Sequence, residues 1–324
     1  DYLVISARVK ALETGLLTAE RMEQILDAKS GEDAGKLLQE WGYPQLDPRR
    51  PEAMDAALSA VREATLADLA EGTPDARYLF KVKYDYHNVK ALLKAEAVGT
   101  APDRMLMDMG RVSTAELAEA VRSRELDGLP ETLAAAVAEA REVLDTTRDP
   151  QLSDIVLDRW CYRDMAALAE ETGSAFLRGY VAVQVDAVNL RTAVRTLRMG
   201  KGADFLLGAL LEGGDLAPDA VAKAASSGAA GLRELYGATR FRDAAEAGAE
   251  ALKGGPLTAF EKLCDDAVGD YLAGAQSVPF GEAPLVSYLA ARETEYTNLR
   301  ILLMGRAAGI DPAVIRTRLR ASYV

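Results

Sequence analysis

The sequence predicts an essentially all-α protein built from one helical unit used three times. Three observations carry this expectation. A short pattern recurs in order along the 324 residues: Asp85-Tyr86-His87-Asn88-Val89-Lys90, Asp186-Ala187-Val188-Asn189-Leu190-Arg191 and Glu295-Tyr296-Thr297-Asn298-Leu299-Arg300. Each copy is followed, eleven residues after its Asn, by a glycine: Gly99, Gly200 and Gly309. The shared form is acid-x-x-Asn-aliphatic-base-x8-Gly, and the copies start 101 and then 109 residues apart, the mark of internal repetition. No segment sustains an alternation of β-branched and polar residues, as half-buried strands require. Hydrophobic residues make up 49% of the chain but aromatics only 6%, with abundant alanine, which suits thin, closely packed helices.

The motif has a physical reading of its own. Its flanks are mostly good helix formers without internal proline. On a helix the acid and the Asn three residues later share a face, which continues at Leu92, Ala193 and Leu302 and ends near the glycine. That glycine suits a left-handed C-cap. A buried acid and Asn are expected to bond a neighbouring helix or its cap, because buried polar groups need partners. Lys90, Arg191 and Arg300 lie on another azimuth and are expected to pair with a different helix. In a sharper form of this reading, the three copies stand around a pseudo-threefold axis and form the seams between repeats or line a central opening.

The elements follow in order. Asp1 to Glu13 reads as a helix from Leu3, Val4, Ala7, Val9 and Leu12. Thr18 is an N-cap before Met22 and Ile25, and Ser30 one before Leu37-Leu38. Trp41 to Pro51 reads as a loop, Glu52 to Glu71 as a long amphipathic helix, and Thr73-Pro74 as the start of the first motif helix. In the second repeat, Ser113-Thr114-Ala115-Glu116 is a capping box matching the Thr18 helix in position. Leu129-Pro130 opens a helix through Leu144, and Asp149-Pro150 another through Met165, with Gly173 ahead of the second motif helix. In the third, Ala217-Pro218-Asp219 begins a short helix, and Gly228 to Gly237 is the counterpart of the Leu37-Leu38 helix. Thr258-Ala259-Phe260-Glu261 reads as a second capping box, and Gln276 to Pro284 as a loop before the last motif helix. Pro102-Asp103, Asp204 and Asp311-Pro312 each restart a helix after a motif glycine. The predicted repeats are 1–100, 101–205 and 206–324.

Charge and rare residues narrow the function. The net charge is −12 and the pI about 4.8, which argues against a nucleic-acid binder. Cys161 and Cys264 form no CxxC and no zinc set, so buried free thiols are expected. No apolar run approaches 18 residues, so no membrane span is expected. The sequence opens on Asp rather than Met, so a few residues are expected before it; no signal peptide is read, and a soluble, reducing compartment fits.

No catalytic constellation emerges, and no cofactor or metal is expected. The single histidine, His87, aligns with Val188 and Thr297 in the other copies and reads as a surface or packing residue. Asp265, Asp266 and Asp270 superficially resemble a magnesium cluster but lack a phosphate-binding loop, so a solvated helix face is the expectation. Glu170-Glu171 reads as a surface pair. There is no P-loop, no dinucleotide fingerprint and no triad. Arg300, Arg306, Arg316, Arg318 and Arg320 make the tail locally basic, expected as a solvated face or as a docking edge for an acidic partner.

Longer stretches carry a resemblance. Lys83-Tyr84-Asp85-Tyr86-His87-Asn88-Val89-Lys90-Ala91-Leu92-Leu93-Lys94-Ala95 and Val185-Asp186-Ala187-Val188-Asn189-Leu190-Arg191-Thr192-Ala193 resemble the C-type subunit of the V-type/A-type rotary ATPases, whose eukaryotic counterpart is the d-type subunit of the V-ATPase. Tyr2-Leu3-Val4-Ile5-Ser6-Ala7-Arg8-Val9-Lys10 is similar to that family's opening helix, and Tyr288 through Arg300 to its closing motif. The resemblance covers the full chain in order. It departs in the third acid, which is Glu rather than Asp, and in the Gly/Ala-rich stretch between Ala220 and Gly255. It implies a funnel of three related helical domains about a pseudo-threefold axis. It also implies a non-catalytic role on the cytoplasmic face of the membrane: the chain sits on the proteolipid rotor ring, receives the central stalk subunits and passes torque between them. Two other classes stay open from the residues alone: a three-repeat helical scaffold or adaptor outside rotary ATPases, and an all-α enzyme using Asp265, Asp266 and Asp270.

Overall fold

Side chains that cap helix ends set much of the architecture. The structure, a computed structural model, describes residues 2–69, 74–102 and 105–322. Within these residues there are sixteen α-helices and no strand. Helix α1 spans Tyr2–Glu13. The Thr18 side chain accepts from the Arg21 amide and opens α2 (Ala19–Asp27), and Ser30 accepts from Asp33 and opens α3 (Gly31–Glu40). The long helix α4 runs over Pro51–Asp68 with proline in its first turn, where no amide is needed. Helix α5 (Pro74–Val98) carries the first motif; the expected cap at Thr73 lies outside the described residues.

The next helices begin where the sequence places them. The Ser113/Glu116 capping box forms in full ahead of α6 (Thr114–Ser123). Pro130 precedes α7 (Glu131–Thr147), and Asp149 caps α8 (Pro150–Glu171). The second motif lies on α9 (Ala175–Arg198). Asp103 lies outside the described residues, and residues 105–112 are turns and bends rather than a restarted helix.

After α9 come α10 (Ala203–Ala209), α11 (Pro218–Ser226), α12 (Gly228–Tyr236), α13 (Arg242–Ala251) and α14 (Thr258–Ala273), then α15 (Glu282–Ala307) with the third motif and α16 (Pro312–Arg318) capped by Asp311. Two expectations are corrected. The capping box at Thr258 does not form: Leu257 is the N-cap without a side-chain bond, and Glu261 is instead held by Arg191 and Arg195. The expected loop to Pro284 ends at Gly281, because proline fits the first turn of α15.

The chain divides into two compact units. One comprises Pro74–Val185 and Leu211–Asp215. In it α5 packs on α6, α7 and α8, and α7 packs on α8. Ala136 and Ala140 of α7 are fully buried, which lets the helices approach closely, and Leu133, Leu157 and Met165 fill the space around them. The other unit comprises Asp1–Thr73, Asp186–Leu210 and Leu216–Val324. There α15 packs on α1, α3, α4, α14 and α16. Tyr296, Leu299, Leu302 and Leu303 of α15 share one core cluster with Ile25, Leu26, Leu38, Met54, Leu58 and Ile315. In the same unit α10 to α14 pack each on the next.

Candidate functional site

The three motif acids do the same thing in three places. Asp85, fully buried, accepts the backbone N–H groups of Arg111 at 2.9 Å and Val112 at 3.2 Å. Val112 is the residue before the Ser113 cap of α6. Buried Asp186 accepts the N–H of Leu216 at 3.2 Å, and Leu216 precedes the N-cap of α11, Ala217. Buried Glu295 accepts the N–H of Leu17 at 2.6 Å, and Leu17 precedes the Thr18 cap of α2. Each acid therefore grips the peptide just ahead of a helix N-terminus, where an anion is favoured and free donors need partners. In chain order, the first two acids bond segments that follow them, and the third bonds a segment near the start of the chain.

The asparagines grip backbone as well. Asn88 donates its amide to the carbonyl of Met107 at 2.7 Å and accepts from the same residue's N–H at 2.9 Å. Asn298 does the same to Arg320, at 3.0 and 2.7 Å. This two-point recognition needs one donor and one acceptor, which Asn has and an ionised Asp lacks. Asn189 is likewise fully buried.

The basic residues reach a second set of acids. Lys90 pairs with Asp158 of α8 at 2.5 Å, Arg191 with Glu261 of α14 at 2.8 Å, and Arg300 with Asp55 of α4 at 2.7 Å. The chain order is the same: Lys90 and Arg191 reach forward and Arg300 reaches back. Sequence reasoning missed these partners, yet a signal was present: Asp55, Asp158 and Glu261 are each 103 residues apart. Three residues beyond each lies a buried Leu58, Cys161 or Cys264. Exposed pairs such as Arg300–Asp55 contribute about 0–1 kcal/mol each, so they fix register more than they add stability.

Each motif helix ends as expected. Gly99, Gly200 and Gly309 have φ of 70°, 66° and 71°. The next amide returns to the carbonyl five residues back: Thr100 to Ala95, Lys201 to Thr196 and Ile310 to Gly305. This is the Schellman closure.

Electrostatics tighten two of the joints. Arg111 bridges Asp85 and Asp164, with both contacts at 2.7 Å, and the Tyr86 hydroxyl donates to Asp164. Burial pushes the Asp85 carboxyl up from its ordinary value, while Arg111 and the two backbone amides pull it back. Glu295 is also pushed up by burial, against hydrogen bonds from Tyr43, Leu17 and Arg292. The Arg292 guanidinium lies over the rings of Tyr43 and Tyr296, 5.7 and 5.4 Å from their centres. At Gly110 a side chain would collide with the Asp85 carboxylate, so glycine is what lets that carboxylate approach the loop.

The residues read as candidate chemistry turn out otherwise engaged. Asp265 is held by Arg191 and Arg320, and Asp266 pairs with Lys262 and accepts the N–H of Ala321, so the expected solvated face applies to Asp270 alone. No group of three or more His, Cys, Asp or Glu is placed to hold a metal among the described residues. His87 is exposed and bonds the carbonyl of Met105. The basic tail is largely engaged inside its own unit: Arg300 on Asp55, Arg306 on the carbonyls of Ile25 and Leu26, Arg316 on Glu23 and Arg320 on Asp265. A groove of about 770 Å³ runs beside α3, and its Lys36 and Arg49 pair with Glu32 and Asp47.

The helices and joints define an all-helical protein whose recurring polar motif holds its own segments together. The family model described as ATP synthase (C/AC39) subunit matches residues 5–318, and the chain belongs to that family. It is 24% identical to the C-type subunit of the V-type sodium ATPase of Enterococcus hirae, over 100% of this chain and 99% of that one. It is 27% identical to the C-type subunit of the V-type ATP synthase of Thermus thermophilus, over 97% of each. It is 24% identical to the C-type subunit of the A-type ATP synthase of Methanocaldococcus jannaschii, over 98% of this chain and 86% of that one. The chain is thus one subunit of a V/A-type ATPase complex. Among the described residues no helix is long and apolar enough to cross a membrane.

Proposed function

We propose that the chain is the non-catalytic socket of the central rotor, joining the central stalk subunits to the proteolipid ring on the cytoplasmic face of the membrane. It transmits the torque that couples ATP hydrolysis or synthesis to ion transport. The repeats 1–100, 101–205 and 206–324 stand around a pseudo-threefold axis as a funnel that receives the stalk. The motif residues Asp85, Asn88, Lys90 and Gly99, with Asp186, Asn189, Arg191 and Gly200 and with Glu295, Asn298, Arg300 and Gly309, form the seams between repeats.

The observation that carries this reading is the chain order of the joints: the first two motif acids hold segments that follow them and the third holds a segment near the start of the chain, the pattern a closed order of three repeats calls for. Family membership points the same way. A torque-transmitting part must be stiff, and buried charge-assisted bonds between close-packed helices supply stiffness. The test is ATP-driven ion pumping in membranes with and without this chain, beside ATP hydrolysis by the soluble head. Loss of pumping with hydrolysis retained supports the socket; unchanged pumping removes it.

A further inference from the structure

The three joints differ in how the chain backs them. Asp85 reaches 27 residues forward to Val112 and Asp186 reaches 30 residues forward to Leu216, whereas Glu295 reaches 278 residues back to Leu17. The first two fasten a helix to the segment that directly follows it, so a short connection still tethers the two sides if the polar contacts fail. The third fastens α15 to α2, α3 and α4, with most of the chain in between. Only non-covalent contacts hold it.

That third joint is also heavily reinforced. Glu295 bonds the Tyr43 hydroxyl as well as the Leu17 amide, and Arg292 supports it at 2.7 Å. Arg62 binds Glu293 at 3.1 Å, and Arg306 donates to the carbonyl of Leu26 at 2.6 Å. Arg300–Asp55 and Arg316–Glu23 add two partly exposed pairs. Beneath them lies the core cluster shared by α15 with α2, α3 and α4.

We propose that this seam between α15 and residues 17–62 is the closure on which coupling depends, shut while the chain carries torque and the first place to open when it slips. The inference rests on the socket reading above. A twist applied across a closed order of contacts loads every joint. Two joints cannot separate further than their connecting loops allow, whereas the third separates once its side-chain contacts give way. Sub-global opening of this kind lies below the free energy of full unfolding. The partly exposed pairs are screened by salt, so slipping should also become easier as ionic strength rises.

The test uses the assembled membrane complex and two paired variants, Asp55→Cys/Arg300→Cys at the seam and Lys90→Cys/Asp158→Cys at the first joint. The native thiols Cys161 and Cys264 are buried, and the reagent is applied only to the seam variant, whose substitutions leave the Lys90–Asp158 and Arg191–Glu261 pairs beside them intact. Ions pumped per ATP hydrolysed should fall severalfold for the seam pair and far less for the other. A short bismaleimide across positions 55 and 300 should restore the ratio. An unchanged ratio in the seam variant, equal losses in both variants, or a loss that the cross-link leaves in place overturns the proposal. Pumping by a complex lacking the chain would instead overturn the socket reading, which is a separate outcome. Hydrogen exchange on the unmodified full chain gives an independent readout that needs no variant to assemble. The Leu17 amide should exchange through an opening below global unfolding, and the Val112 and Leu216 amides should not. Exchange of Leu17 only with global unfolding overturns the proposal.

Discussion

Glu295 and Leu17 stand 278 residues apart in the chain, yet the carboxylate accepts the Leu17 amide at 2.6 Å. The same carboxylate takes the Tyr43 hydroxyl and the Arg292 guanidinium. This explains why the third motif copy carries Glu where the other two carry Asp: the extra methylene lets one side chain serve a backbone amide and a phenol together. Glu295→Asp should release at least one of these partners and leave a buried donor unsatisfied, at a cost of about 1–3 kcal/mol. Urea unfolding of the two proteins measures it. Equal stability would show that the longer side chain has no structural purpose.

The same residue predicts a pH dependence with a definite sign. Burial is the main influence on Glu295 and raises its pKa. Between the unfolded and folded pKa values the folded chain holds a proton that the unfolded chain has lost, so stability from this group falls as pH rises through that window and is level above it. The Tm of wild type minus that of Glu295→Gln should therefore fall as pH rises above the ordinary glutamate range, then stay constant. A difference that grows over that range would mean the carboxyl is depressed instead.

Gly110 tests the first joint without touching its charges. A β-carbon there would fall on the Asp85 carboxylate, which is fixed by the amides of Arg111 and Val112 and by the Arg111 guanidinium. Gly110→Ala should push the carboxylate off these donors and destabilise the chain by about 2–4 kcal/mol, combining overpacking with lost buried hydrogen bonds. Thermal melting reads the loss. A change below about 0.5 kcal/mol, the usual range for a surface site, would show that the loop yields freely.

What the sequence made legible was local. Thr18, Ser30, Ser113, Asp149 and Asp311 cap helices because a cap bonds amides two or three residues away, a distance that residue identity alone can signal. The motif glycines were legible for the same reason. Helix α13 was not anticipated, because its buried face is Ala244, Ala245, Gly248 and Ala249, too small to show a hydrophobic period. Thr258 and Glu261 have the spacing of a capping box, but Arg191 and Arg195 displace the local bond. The tail arginines looked solvated because their partners Glu23, Asp55 and Asp265 lie 293, 245 and 55 residues away. Polar partners across such separations are set by tertiary packing, and only the 103-residue spacing of Asp55, Asp158 and Glu261 left a trace of it.

Left-handed C-caps give a prediction of opposite sign at two kinds of position. Gly99, Gly200 and Gly309 have positive φ, and so do Arg124 and Arg148 at the ends of α6 and α7. An L side chain in that region costs about 1–2 kcal/mol. Each motif glycine replaced by alanine should lose about 1 kcal/mol, whereas Arg124→Gly and Arg148→Gly should each gain about 0.5–1 kcal/mol. Denaturant midpoints at constant m-value check both. A loss on Arg124→Gly or Arg148→Gly would show that the arginine side chain, not its backbone, governs the site.

The two thiols offer a test of core integrity near Asp158 and Glu261. Cys161 and Cys264 are buried, and burial pushes both thiols up to about 12. Near pH 8 a thiol of that acidity is ionised in only about one molecule in ten thousand, against roughly a quarter for an ordinary exposed cysteine. Steric cover adds to this, since Cys161 lies beyond Asp158 and Cys264 beyond Glu261 on the inner faces of α8 and α14. Neither thiol should react with a disulfide reagent in the folded chain, and both should react at once in denaturant. Variants that break the Lys90–Asp158 or Arg191–Glu261 pair should expose the neighbouring thiol selectively, Cys161 in one case and Cys264 in the other. Peptide mapping of the labelled residue distinguishes this from general unfolding, in which both would label together.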